Sequence, residues 1–454
     1  MKEQNQLNTG QPRERWGSKF GFILATAGSA VGLGNIWRFP YMTGAYGGAS
    51  FVLLYLGIIV LIGASMLIVD FVIGRHGRAN AVESYRKISS KFVWMGYLGI
   101  FCAILVLSYY AVIGGWITYY GLSSFTSLRG LDSGQVGEFF GAFSGHPWKP
   151  LIFQLSFMVF TVVIVMGGIK KGIEKWNKIL MPALLIMLVI LVIKSLTLEG
   201  GMEGVKYFLK PDFSKITWAT VVAATGQVFF SLNIGTTGMV VYGSYLDDDI
   251  NIPKSSLPII ATDTAVALLA GLIVFPTAFA FGVEPGSGPG LVFVTIPSIY
   301  SSMPFGGVFS FLFFALLLFA SVTSSISILE IVVAFLREKT NLSRKNASIW
   351  TGVLCMILGI PVSLGFGIWQ NVTFFGKGIF DLFDFFAANV SYPIIALFSA
   401  ILVGWIWKKE EVIDAVSSHG LYSRKVSETW YYVVKFVCVV GLSIVALSLV
   451  GILK

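Results

Sequence analysis

Ionisable side chains are scarce in this chain of 454 residues: Asp, Glu, Lys and Arg together make up 12% of it, about half of the roughly 25% usual in soluble domains. That excludes an ordinary water-soluble domain. The three cysteines, Cys102, Cys355 and Cys438, all lie inside apolar runs, an odd and scattered set that does not make a disulfide framework. The three histidines, His76, His146 and His419, lie in or beside loops and far apart. No HExxH, paired CxxC, GxSxG or Walker sequence occurs, so the residue patterns of zinc hydrolysis, serine acyl transfer and nucleotide hydrolysis are missing. The chain is therefore read as no enzyme. The stretch before Phe20 is too polar for a signal peptide. No gap between apolar runs is longer than 124–150, so no soluble domain is expected.

What is present is hydrophobic: 56% of the residues are apolar or aromatic, and the mean hydropathy is +0.80. A transmembrane helix needs roughly 20 mainly apolar residues. Eleven such runs are counted, near 20–43, 50–74, 93–123, 151–169, 177–198, 217–245, 257–283, 305–336, 347–369, 378–407 and 427–452. The predicted fold class is an all-α polytopic membrane protein of eleven transmembrane helices. Most of the 32 Lys and Arg fall in the N-terminal tail and in every second loop. The positive-inside bias then puts the N-terminus in the cytoplasm and, for an odd count, the C-terminus outside the cell membrane. The net charge of +9 is thus mostly a topology signal. Spread over short loops with no continuous basic stripe, it does not suggest a nucleic-acid partner.

Two runs break the pattern. Within the first, GSAVGLGN (Gly28–Asn35) places three glycines in mid-span, with Pro40 shortly after. Unpaired backbone groups facing lipid each cost several kcal/mol, so a broken helix survives only where it is buried in protein or lines a wet cavity. Close helix packing through Gly28 and Gly32 is one explanation. The sixth run adds a second: Ser231–Gly238 again combines Asn233, Gly235, Thr236, Thr237 and Gly238 amid apolar flanks. Paired interruptions at corresponding places in two five-helix halves point to an inverted-repeat transporter with its site near the bilayer midplane. The predicted layout is a cytoplasmic tail (1–19), a first repeat (20–198), an inverted second repeat (217–407) and an added eleventh helix (427–452). Unwinding bares carbonyl oxygens for a hard cation such as sodium, and the N–H groups opening the next half-helix suit a carboxylate.

With these residues in hand, the chain resembles the neurotransmitter:sodium symporter family, which has the LeuT fold with broken helices 1 and 6. The likeness runs from Arg13 and Trp16 to about Asp384, and AGSAVGLGNIWRFP (Ala27–Pro40) carries it most specifically. The resemblance implies a substrate α-carboxylate held by the N–H groups of Leu33 and Gly34 and by the Tyr110 hydroxyl. It implies an ammonium held by carbonyls of Ala30, Phe230 and Ser231. The side-chain pocket is expected from Val106, Tyr110, Phe230, Asn233, Thr236 and Ile328, with Ser324 beside them. Without a fixed charge in that wall, an acidic or basic side chain would be buried unpaired. The expected partner is a neutral hydrophobic L-amino acid, taken up from a lipid bilayer setting with no obligate protein partner inferred.

The resemblance also implies two sodium ions. The first would meet the Ala30 carbonyl, the Asn35 amide oxygen, Ser231, Asp263 and the substrate carboxylate itself, which couples ion and substrate reciprocally. The second would meet carbonyls of Gly28, Val31 and Ala320 and hydroxyls of Thr323 and Ser324. Asp263 departs from the family pattern: many relatives have Asn there and balance charge with chloride or with an acid one turn later, where this chain has Ala267. An intramembrane carboxylate is a functional-site hypothesis by default, so uptake is expected to be independent of chloride. The same carboxylate could accept a proton once sodium leaves.

Gates are expected from an outer pair, Arg38 with Asp384, above an aromatic lid of Phe230 and Tyr110. An inner pair, Arg13 with Glu338, is expected beside Trp16, although Glu338 stands where Asp is typical of a bacterial member. Asp70 and Glu330, both within spans, are read as partners of backbone groups freed at the breaks. Gly172 and Pro182 weaken the start of the fifth helix, a place for local unwinding. Competing readings are an amino-acid-gated sodium channel, a nontransporting sensor of the same fold and a membrane enzyme; the first two differ from a symporter in whether amino acid is accumulated.

Overall fold

The structure is a computed structural model that describes residues 14–282 and 290–449. Among these residues nine helices are long and apolar enough to cross a membrane. They are joined by a bent pair, α1 (Lys19–Ala30) and α2 (Gly34–Ala45), whose axes diverge by 49°. The remaining membrane helices are α3 (Ala49–Gly77), α4 (Ser90–Ser123), α5 (Lys149–Met166), α6 (Ile169–Leu196), α9 (Ile252–Ala280), α10 (Gly306–Lys339), α11 (Arg344–Leu364), α12 (Ile379–Ile406) and α13 (Arg424–Ser448). The sixth expected span is two short helices, α7 (Trp218–Ser231) and α8 (Gly238–Gly243). Length and apolarity therefore count ten crossings, and eleven is reached only if that split pair is taken as one more.

Several helices begin earlier than hydropathy places them, because a helix does not stop where charge appears. Lys149, Arg344 and Arg424 each open a helix, and Arg344 and Arg424 reach the acids Glu330 and Glu428 with their heads. The loops hold short amphipathic helices, among them Ala81–Ile88, capped by the Asn80 side chain on the Glu83 N–H, and Ser133–Ser144, opened by an Asp132–Gln135 capping box. A two-residue antiparallel hairpin pairs Thr373 with Gly378; it is the one departure from all-α structure among the described residues.

Both expected breaks are present, and each has a local cause. Ser18 caps α1 by accepting from the Gly21 N–H. The helix ends at Ala30, where Val31 turns to extended backbone at φ −68°, ψ 106°. The chain re-enters through a wide, π-type turn at Gly34–Arg38 before regular helix resumes at Phe39. In the sixth segment Asn233, Gly235 and Thr237 take φ values of +54°, +81° and +64°. A right-handed helix cannot pass through such residues, and for the non-glycines the left-handed region is uncommon. Gly235 is required twice: a Cβ there would lie 2.3 Å from the Tyr392 carbonyl oxygen.

Candidate functional site

The two breaks are tied to each other by a buried polar cluster. From α2, the Asn35 amide nitrogen donates to the Asp263 carboxylate at 2.7 Å, to the Asp263 carbonyl at 3.0 Å and to Ser231 Oγ at 3.0 Å. Ser231, the last residue of α7, donates to the other Asp263 oxygen at 2.8 Å. Asn35 and Asp263 are fully buried, and Ser231 is nearly so. Tyr55 on α3 completes the cluster, its hydroxyl 3.3 Å from Ser231 Oγ and 3.4 Å from Asp263 Oδ2. Nothing in its apolar run had marked Tyr55. The Asn35 amide oxygen accepts from the Gly32 N–H at 3.1 Å, so it is the nitrogen, not the expected oxygen, that faces Asp263. A carboxylate attracts a donor, and turning the amide over would set the oxygen there beside a cation.

The bared groups of the first break converge with α4 and α10. The Leu33 N–H donates to Tyr110 Oη at 3.1 Å, which brings together two of the three groups expected to hold a carboxylate. Ser324 Oγ donates to the carbonyls of Val31 at 3.2 Å and Ser29 at 3.3 Å. Asn233 also donates to the Ser29 carbonyl and, at 3.2 Å, to Ser29 Oγ. Ser29 thus links α1 to the α7–α8 break and to α10, a role the sequence did not signal. Thr323 Oγ1 donates to the Ala320 carbonyl at 3.0 Å, and a Cβ on Gly28 would lie 3.2 Å from Thr323 Cβ. The oxygens proposed for the second ion, from Gly28, Val31, Ala320, Thr323 and Ser324, therefore belong to one neighbourhood between α1 and α10. Ala30, the last residue of α1, is buried.

Val106, Tyr110, Thr236, Ser324 and Ile328 are buried, and Phe230 and Asn233 are half-buried. Phe230 lies against Gly34, where a Cβ would come within 2.6 Å of its ring. Thr236 Oγ1 donates to the Asn233 carbonyl at 2.8 Å and accepts from the Gly238 N–H at 3.1 Å, which closes the α7–α8 turn on itself. Above this region a cavity of about 580 Å³ is lined by Arg38, Phe230, Phe229, Trp218, Tyr392 and residues near them. It lies beside Phe230, and its lining includes none of Val106, Asn233 and Ile328.

The gate residues pair differently from expectation. Arg38 and Asp384 are not within salt-bridge distance, although each feels the charge of the other. The guanidinium donates to Gln227 Oε1 at 3.2 Å and lies 4.8 Å from the Phe230 ring centre, while Asp384 accepts from Tyr109 Oη at 3.1 Å. Gln227 in turn donates at 2.9 Å to the Gly34 carbonyl, which also accepts from the Phe39 N–H, so Arg38 and the start of α2 share one partner. At the opposite end Trp16 donates its indole N–H to the Tyr242 carbonyl at 3.1 Å and packs edge-on to Tyr242 and Tyr245. Glu338 accepts from the Asn80 backbone at 2.9 Å and from its side chain at 2.7 Å. Arg13, its expected partner, lies outside the described residues.

The densest ionic cluster at that end is one the sequence did not reveal. Glu14 accepts from Arg337 at 2.8 Å, Arg344 at 2.9 Å and the Ile169 N–H at 2.7 Å. Burial alone would raise its carboxyl pKa, but the Arg344 and Arg337 charges and the Ile169 N–H together hold it below its ordinary 4.5. Glu174 holds the same tail through the Gly17 N–H at 2.6 Å and Ser18 at 2.9 Å. Glu330 requires a correction: its partners are not freed backbone groups. Arg344 grips both its oxygens at 2.7 and 2.9 Å, and the Tyr245 hydroxyl donates at 2.6 Å. A fully buried acid calls for a charged partner, and one was available at the start of α11. Asp70, by contrast, does face the Gly235 N–H in the second break.

The comparisons agree with this architecture. A family model described as the sodium:neurotransmitter symporter family matches residues 13–133 and 143–454. A Bacillus subtilis protein named uncharacterized sodium-dependent transporter YhdH is 39% identical over 97% of this chain and 98% of its own. The dog sodium- and chloride-dependent taurine transporter is 28% identical over 89% of this chain and 73% of its own. The crystal structure of MhsT in complex with L-phenylalanine superposes with a TM-score of 0.90 at 42% identity, covering 96% of this chain and all of that one. The broken first and sixth segments, the polar cluster that joins them and these likenesses lead to one conclusion: this multi-pass membrane protein belongs to the sodium:neurotransmitter symporter family, and its work is sodium-coupled transport, not catalysis.

Proposed function

We propose that the chain takes up neutral, hydrophobic L-amino acids with two sodium ions, by alternating access and without chloride. The observation that carries this reading is the Asn35–Ser231–Asp263 cluster, which puts a buried acid and two neutral oxygen-bearing side chains where both helices are broken. An acid in that position favours a cation, and its own charge can take the place of chloride. The taurine transporter is named for chloride dependence; this chain carries its negative charge at Asp263.

In this scheme a substrate carboxylate inserts between the Leu33 N–H and Tyr110 Oη, replacing a 3.1 Å contact between neutral groups with charge-assisted bonds to both. The half-helix α2 adds the positive end of its dipole. Sodium at Asp263 and Asn35 adjoins the same carboxylate, so either binds better when the other is present. The second ion sits between Gly28, Val31, Ala320, Thr323 and Ser324 and holds α1 against α10. Apolar Val106 and Ile328 with Phe230 and Thr236 receive the side chain, and L-phenylalanine bound to MhsT supports that size class. Residues 20–198 and 217–407 act as the inverted repeats, 427–452 as an addition, with the N-terminus cytoplasmic. Glu14, Trp16, Glu174 and Glu338 close the inner end.

The test is reconstitution in liposomes with an inward sodium gradient, with labelled leucine competed against all twenty amino acids. Concentrative uptake blocked by hydrophobic amino acids alone is expected. Accumulation that persists after the sodium gradient is collapsed refutes the coupling.

A further inference from the structure

Asn177 on α6 is fully buried, and its amide is half used. The nitrogen donates to the Ile173 carbonyl one turn earlier at 2.9 Å. The oxygen has no hydrogen-bond partner among the described residues. That internal bond fixes the amide, so the oxygen projects away from α6 and toward α1. It lies 2.1 Å from where a Cβ on Gly28 would stand, with Met181 Cγ and Thr323 Cβ each 3.2 Å from the same point. A buried amide oxygen left unpaired is costly, and such an atom in a native fold calls for an explanation. Glycine at 28 is what admits it.

We infer that the Asn177 amide oxygen is a further sodium ligand, on the α6 side of the second ion position, that receives the ion as it leaves toward the end closed by Trp16. This rests on the proposed second site at Gly28, Val31, Ala320, Thr323 and Ser324. The oxygen is neutral and fixed in place, a suitable donor for a hard cation. It sits midway between Gly172 and Pro182, on the helix whose opening turn is the wide π-type segment Ile169–Glu174. Loosening that turn would carry the oxygen away from Gly28 and weaken the ion's hold.

The experiment is equilibrium binding of labelled leucine to the purified full chain over a sodium titration, with potassium holding ionic strength. Asn177→Leu, of similar volume and without the oxygen, should raise the half-saturating sodium concentration by about fivefold or more, with normal leucine capacity at saturating sodium. Asn177→Asp, which keeps an oxygen there, should stay within about twofold of wild type or bind sodium more tightly. Should Asn177→Leu lack capacity even at saturating sodium, Asn177→Ala supplies the same comparison, read also as the sodium-induced rise in melting temperature. An unchanged half-saturating sodium concentration in a leucine-competent Leu or Ala variant overturns the inference, and so does an Asp variant as weak as the Leu variant, since both assign Asn177 to packing or to a bound water. Wild-type leucine binding that ignores sodium sinks the sodium reading of the whole site, which is a different result.

Discussion

Asn35 and Asp263, 228 residues apart in the chain, meet at 2.7 Å with neither exposed to solvent. Among the described residues no basic side chain accompanies them; the Asp263 oxygens are met by Asn35, Ser231 and Tyr55. A buried acid with neutral donors alone holds its charge at a cost, and a cation beside it relieves that cost. Asp263→Asn is expected to raise the half-saturating sodium concentration by roughly 10- to 100-fold, from the loss of one charged contact. In the wild type, replacing chloride with gluconate should leave uptake unchanged. A large loss on gluconate would mean that Asp263 does not supply the missing negative charge.

Gly235→Ala tests the second break without touching an ion ligand. Its φ of +81° and the Tyr392 carbonyl 2.3 Å from a built Cβ leave no room, because the obstacle is backbone and cannot swing aside. Left-handed strain of about 1 kcal/mol adds to the steric cost, so melting temperature should fall by several degrees. Asn233 and Thr237 already occupy the same region of φ and need no such relief at their own positions. A variant as stable as wild type would mean that the α7–α8 turn is free to shift.

Much of this was legible in the sequence, for definite reasons. Glycine, asparagine and threonine amid apolar flanks announce a break because lipid penalises bare backbone, and both breaks lie where Gly28–Asn35 and Ser231–Gly238 placed them. Helix starts were less legible: Lys149 and Arg344 open helices, while hydropathy stops at charge. Long-range partners were not legible at all. Tyr55 and Asn177 sit in ordinary helical sequence, and only the packing of α3 and α6 against the breaks gives them company. Glu330 illustrates the limit, since its acid in an apolar helix signalled a partner but not that Arg344, fourteen residues on, would be that partner.

Removing one member of that pair should be costly. Glu330 is fully buried, Arg344 is nearly so, and they meet at 2.7 Å. Breaking a buried pair by removing one charge typically costs about 3–5 kcal/mol. Glu330→Gln leaves Arg344 its contact with Glu14 at 2.9 Å, so the lower end of that range is expected in detergent unfolding. The double change Glu330→Leu with Arg344→Met should recover part of the loss, because apolar groups of similar volume replace buried pairs with little penalty. No recovery in the double variant would show that the pair positions Tyr245 and Glu14 and does more than balance charge.

Glu14 joins the tail to the start of α6, and its titration sets when that junction holds. Its carboxyl is held below 4.5 in the fold by Arg344, Arg337 and the Ile169 N–H, against the opposing effect of burial. A lowered folded pKa contributes stability that is fully present above the unfolded value and is lost as pH falls through the folded one. The contact should therefore be intact from pH 8 to pH 5 and weaken only below about 4.5. Gly168, at φ +80°, brings the chain round so that Ile169 can donate at 2.7 Å, which makes that amide a direct reporter. In hydrogen exchange, Glu14→Ala should speed exchange across 169–174 about tenfold at pH 7, with Glu14→Gln between it and wild type. The wild type should show no acceleration beyond intrinsic chemistry between pH 8 and 5. If all three chains exchange alike at pH 7, Glu14 does not restrain the opening turn of α6, and the junction must be held by Glu174 with Gly17 and Ser18 instead.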